Sequence, residues 1–309
     1  MKILKIISFF LFFVLLSIPL FSQEQPPIID MHMHIGAPLN LPAGAPAPCL
    51  PSPCIRQGTA TANSSENLEK TLEAMERYNI VKGFLSHFDL QELREWKETV
   101  PDRFIVSPFI HEPQEFAPED LRKEFEENRL EGIGEIGAQL VGIAPNDPRL
   151  EPYYSLAEEF DVPVLIHTEG IGPPVPGFRS AAGSPLLLED VMVNHPNLRI
   201  FVENTGYPYL DEMVAMMYQY PQLYGDLSTI TWIIPRSAFY DYLKRLIEAG
   251  LGKRLMFGSD QMRWPEMIGK AIEAIEEADF LTEEQKRDIL YNNAVRFLQM
   301  DSKELGSAN

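Results

Sequence analysis

Residues 28–36 read IIDMHMHIG and set two of the chain's six histidines, His32 and His34, at the end of a short apolar run. Residues i and i+2 of a β-strand share a face, so if this run is a strand both imidazoles point the same way. Such a pair is either polar decoration on a solvated face or half of a metal site. The residues that end the other apolar runs bear on the choice.

Seven further runs follow: NIVKGFLSH (79–87), RFIVSPFIH (103–111), LEGIGEIGA (130–138), DVPVLIHTE (161–169), LRIFVEN (198–204), QLYGDLST (222–229) and KRLMFGSD (253–260). Segments of helical spacing lie between them, with Leu68, Leu72 and Met75 in the first, Leu187, Val191 and Met192 in the fifth, and Leu243, Leu246 and Ile247 in the seventh. Strands alternating with helices predict a parallel sheet. Eight such units in about 230 residues predict an α/β protein of the (β/α)8 TIM-barrel type. The alternative, an open doubly wound sheet, usually has fewer strands and a Gly-rich first turn, which is absent here. NTGYP (204–208) is no phosphate loop, because no Lys follows its Gly.

The runs end in a consistent way. His87 and His111 close the second and third, Glu135 lies in the fourth, His167 in the fifth, Glu203 and Asn204 end the sixth, Asp226 lies in the seventh and Asp260 ends the eighth. Only His195, in NHPN, falls in a connection, and it reads as a surface residue. Buried His, Asp and Glu are costly without partners. Gathered at the C-terminal mouth of a barrel, where active sites sit, they could share a divalent cation. Imidazole with carboxylate suits zinc, and also manganese, nickel or iron(II). Asp226 orients a ligand, lines the substrate site or starts a helix, and His87 and His111 line a pocket, orient a ligand or simply pack.

Composition narrows the class. The chain has 309 residues, 45% hydrophobic and 23% charged, with a formal charge of −19. That balance is globular and argues against nucleic acid or anionic membrane surfaces as partners. Residues 1–22 have Lys2 and Lys5 ahead of an apolar run, then Pro19 and Ser22, the layout of a signal peptide cleaved near Ser22–Gln23; an uncleaved anchor is the alternative. Cleavage removes two lysines and no acid, giving −21. The expected organisation is a signal peptide (1–22), a single barrel domain (23–300) and a polar tail (301–309), in a protein exported to the periplasm or secreted. Cys49 and Cys54, in CLPSPC, fit a local disulfide in an oxidising compartment; two free thiols or a redox pair are the alternatives. The long loops at 37–64 and after the fifth run both follow strand C-termini and read as functional. Arg179, the one cation of the latter loop, is a candidate for binding a substrate carboxylate. Thr282 and Gln285 form a candidate capping box.

DMHMH, GEIG, LIHTE and MFGSD, in this order at strand ends, resemble the amidohydrolase superfamily of metal-dependent barrel hydrolases. DEMVAMMYQYPQLYGDLSTI, RLMFGSDQMRWPE and DILYNNAVRFL are similar to its amidohydrolase-related branch, which also holds lactonases and nonoxidative decarboxylases. The resemblance spans nearly all of residues 28–300. It implies that His32 and His34 bind a buried metal, that Asp260 binds it and acts as general base, that Glu135 takes the strand-four carboxylate position, and that His167 is a ligand with a catalytic role. It departs at ENTGYP, where the family often has His in the place of Asn204. Asn is a poor zinc ligand, so Asn204 is expected to contact substrate, and one ion is favoured over two. Glu203 is the other candidate there, but adjacent strand residues face opposite ways. The activity implied is hydrolysis of a small ester, lactone or amide by metal-bound hydroxide. Nonoxidative decarboxylation and a non-catalytic ligand-binding barrel are the alternatives. A small-molecule substrate is the expected partner, and a homo-oligomer is a common state for such enzymes.

Overall fold

The structure, a computed structural model, describes residues 25–36, 60–172 and 175–300. Cys49 and Cys54, the expected signal peptide and the tail beyond residue 300 lie outside them. Among the described residues no helix is long and apolar enough to cross a membrane.

Each of the eight apolar runs contains a strand: β1 (Ile28–His34), β2 (Ile80–His87), β3 (Phe104–Pro108), β4 (Ile133–Ile136), β5 (Val164–Ile166), β6 (Ile200–Val202), β7 (Leu223–Asp226) and β8 (Leu255–Met256). All neighbours in the orders β1–β2–β3 and β4 to β8 pair in parallel. Two seams close the ring. Ile110 bridges Ile136 between β3 and β4. Between β8 and β1, Met31 N–H donates to Phe257 O (2.8 Å) and Asp260 N–H to His32 O (2.7 Å). The result is the (β/α)8 barrel that the alternation predicts.

Eleven α-helices lie among the described residues: α1 (Ser64–Arg77), α2 (Leu90–Thr99), α3 (Pro118–Glu126), α4 (Glu151–Glu159), α5 (Glu189–Asn194), α6 (Leu210–Gln219), α7 (Ile230–Ile233), α8 (Arg236–Glu248), α9 (Glu266–Glu276), α10 (Glu283–Arg287) and α11 (Asn293–Leu298). Their starts are written in the sequence. Asn63 Oδ1 accepts from Glu66 N–H at the head of α1, and the Thr282–Gln285 capping box forms at the head of α10.

Two apolar clusters divide the core. The larger fills the space between strands and helices. The smaller is the floor inside the barrel, where Ile29, Met31, Phe84, Leu165, Phe201 and Met256 meet Ala294 and Phe297 of α11. The β1–β2 register shifts between Asp30 and Met33. There the inward set of β1 changes from Ile29 and Met31, in the floor, to His32 and His34 above it.

Candidate metal centre

His32 is fully buried, with a carboxylate oxygen close to each ring nitrogen. Its Nδ1 donates to Asp226 Oδ2 at 2.9 Å. Asp226 is itself held through Oδ1 by the N–H groups of Asn204 (2.8 Å) and Ser228 (3.2 Å) and by the Ser228 hydroxyl (2.6 Å). The Nδ1 of His34 lies 3.2 Å from Ser86 O, and a carbonyl only accepts, so that nitrogen carries the proton. Both imidazoles are therefore fixed from behind with Nε2 bare.

Those two Nε2 atoms stand 3.0 Å apart. Glu135 Oε2 lies 3.1 Å from each. Asp260 Oδ1 lies 3.2 Å from His34 Nε2 and 3.8 Å from His32 Nε2, and is buried without a hydrogen-bond partner. Four lone-pair atoms thus converge with no donor of their own among them. Tetrahedral ligands at zinc distances sit about 3.3 Å apart, so this donor set fits a divalent cation. The same field attracts a proton: although burial opposes charge, the carboxylates of Asp260 and Asp226 hold His32 well above its ordinary pKa, and the carboxylates of Asp260 and Glu135 beside its ring lift His34 to about 9.

Glu135 faces two ways. Its Oε1 lies 2.7 Å from Nδ1 of His167, which also approaches Glu203 Oε2 at 2.5 Å. Gly134 makes this reach possible: its φ is +105°, and a Cβ there would lie 2.1 Å from Leu165 O. Glu135, His167 and Glu203 form a second group whose ligand atoms lie within 4.8 Å of one another. Burial raises Glu203 to about 7, and burial with the neighbouring Glu203 charge holds Glu169 well above the carboxylate range.

The structure differs from several expectations. β6 ends at Val202, and Asn204 (φ 51°) and Thr205 (φ 47°) turn left-handed, so strand alternation no longer applies and Glu203 and Asn204 both join the buried cluster. Asn204 is fully buried. Its Nδ2 donates to Glu169 Oε2 (2.5 Å) and Thr229 Oγ1 (2.8 Å), and its Oδ1 accepts from Ile230 N–H (3.0 Å). It positions neighbouring groups and has no free edge for substrate. Arg179 is exposed and donates through Nη1 to the carbonyls of Pro176, Gly177 and Phe178 of its own loop. His87 pairs with Glu92 at 3.0 Å. His111 stands edge-on to Phe109 (4.6 Å), which in turn meets His34 (5.7 Å), and lines a cavity of about 370 Å³ with Glu112, Gln114 and Glu115. His195 is not a surface residue: it is 4% exposed and lies between Glu158 (3.0 Å) and Glu151 (2.9 Å). Glu169 escaped notice, although LIHTE held it two residues from His167.

A family profile described as amidohydrolase matches residues 29–300. The chain belongs to the amidohydrolase family. Solved structures share the fold of this amidohydrolase at low identity. An uncharacterised TIM-barrel protein of Bordetella bronchiseptica is 17% identical, with a TM-score of 0.64 over 89% of this chain and 99% of that one. A probable 2-pyrone-4,6-dicarboxylic acid hydrolase of Acinetobacter baumannii is 13% identical, with a TM-score of 0.60 over 88% and 99%. The 5-carboxyvanillate decarboxylase of Sphingomonas paucimobilis is 17% identical, with a TM-score of 0.52 over 74% and 82%. No curated protein matches the amidohydrolase.

Proposed function

We propose that this amidohydrolase is an exported, metal-dependent hydrolase of a small ester, lactone or amide. The observation that carries the reading is the convergence of His32 Nε2, His34 Nε2, Glu135 Oε2 and Asp260 Oδ1, with both imidazole tautomers fixed from behind. A divalent ion held there, zinc being the first choice, supplies an acidic water and a polarised carbonyl. The chain's own residues do the rest. Asp226 and Ser86 O aim the two imidazoles. Asp260, on the segment that follows β8, takes a proton from the attacking water and returns it to the leaving oxygen or nitrogen. Export rests on the layout of residues 1–22.

Mass spectrometry of the purified protein with a hydrolysis panel tests this. At least one transition ion per chain, lost in His34→Ala together with turnover of esters, lactones or amides, is expected. A protein that binds no metal after reconstitution sinks the reading.

One residue favours nonoxidative decarboxylation as a second reading. Arg263, three residues beyond Asp260, has an enclosed Nη1 with no hydrogen-bond acceptor among the described residues. Its pKa is lowered by burial alone. Residues 37–59, which follow β1, contain no acid. A guanidinium with an unpaired buried N–H suits a substrate carboxylate. Carbon dioxide release from aromatic or enol acids would establish this reading over hydrolysis.

A further inference from the structure

We propose that Phe109 and Phe178 form an apolar slot at the metal centre and select substrates that carry a flat aromatic ring beside the reacting carbonyl. The inference rests on the metal-centre reading above and deepens it by naming the substrate class.

Three observations carry it. First, each ring stands against a histidine of the centre. Phe109, in the loop after β3, meets the His34 imidazole edge-on (5.7 Å, 72°), and Phe178, in the loop after β5, meets that of His167 (6.4 Å, 86°). The converging atoms are most open on the His34 side: its side chain is 13% exposed, against 0%, 5% and 6% for His32, Glu135 and Asp260. A molecule that reaches them from that side passes Phe109.

Second, the core does not use these rings. Both are only partly buried, and neither belongs to the two apolar clusters of the described residues. Their seats are built nonetheless. A Cβ on Gly137 would lie 2.8 Å from Phe109 Cζ, and one on Gly172 would lie 2.4 Å from Phe178 Cε2. The His111 ring also meets Phe109 edge-on, at 4.6 Å. Aromatic side chains held in place with apolar surface to spare, beside a few convergent polar groups, make up a small-molecule site.

Third, the apolar surface continues outward. Val141 and Val175 are 40% and 41% exposed on the segments after β4 and β5. These segments touch, since a Cβ on Gly177 would lie 2.9 Å from Val141 Cα, and Phe178 N–H donates to Val175 O (3.1 Å). In a chain of formal charge −19, uncharged walls beside the Glu135 and Asp260 carboxylates favour an apolar group. The two phenyl walls narrow the class further, because an aromatic ring gains offset or edge-on contact with them beyond its buried area.

Two hydroxamates test this, because they share a head that chelates a metal ion and differ only in the tail, phenyl in benzohydroxamate and methyl in acetohydroxamate. Calorimetry on the zinc-reconstituted full-length protein is expected to show benzohydroxamate bound at least about tenfold tighter. Phe109→Ala and Phe178→Ala should each cut that ratio at least about threefold, with zinc content by mass spectrometry and acetohydroxamate affinity unchanged. A wild-type ratio near one, or a ratio unaltered in either variant, overturns the slot and leaves the metal centre intact. A protein that holds no zinc, or whose zinc form binds neither probe, instead overturns the metal-centre reading and the slot with it. The wild-type ratio decides the matter even if a variant does not fold.

Discussion

Asp226 touches no converging atom, yet it decides which nitrogen of His32 is bare. Its Oδ2 holds the Nδ1 proton at 2.9 Å, while Oδ1 is occupied by two N–H groups and a hydroxyl. Asp226→Asn keeps the shape, but its amide can present a donor to Nδ1 and turn the tautomer over. We expect metal affinity to fall about 10- to 100-fold, the usual cost of removing a partner behind a ligating histidine. Competition with a chromogenic chelator measures it, and unchanged affinity would show that Asp226 serves only the fold. At this scale the sequence was legible where residues stand in register on a strand. His32 and His34 needed only the period of two. Glu203 and Asn204 were harder, because alternation holds only while the backbone stays extended and here it turns left-handed one residue after the strand ends. His195 was misjudged because its neighbours in NHPN say nothing of Glu151 and Glu158, which reach it from another helix.

Among the elements, the seam between β8 and β1 deserves the closest test. β8 is only two residues long, so its ladder is thin. Asp30 reinforces it: Oδ1 accepts from Ser259 N–H (2.8 Å) and from His32 N–H (3.1 Å), tying the segment that carries Asp260 to the strand that carries both histidines. Asp30→Ala leaves two buried donors unpaired and should cost about 2–4 kcal/mol in urea unfolding, whereas Asp30→Asn retains an acceptor and should lose less. Equal midpoints for the two variants would show that the seam is held elsewhere. The eight runs were legible as strands because each is short, apolar and bounded by turn residues. How far pairing extends was not, since β5, β6 and β8 stop after two or three residues and leave their functional side chains on the loops that follow.

For the whole molecule, the barrel is closed below by its own last helix. Phe297 is 3% exposed and meets Phe201 (5.3 Å) and Tyr224 (4.9 Å). Phe297→Ala removes that plug from a packed interior and should cost about 3–5 kcal/mol. Thermal unfolding checks this, and a shift of less than about 1 kcal/mol would mean that the floor is sealed without it. The alternation of strands and helices made the barrel readable. The plug was not, because DILYNNAVRFL carries no mark saying which end of the barrel it covers.

That plug has a consequence in time. Ile29 and Met31 lie near the beginning of the chain and Ala294 and Phe297 near its end, yet they share one small apolar cluster. Contacts so distant along the chain form late and slowly. A ribosome must deliver the span from Ile29 to Phe297 before the inner core can close. Until then the nascent chain stays open.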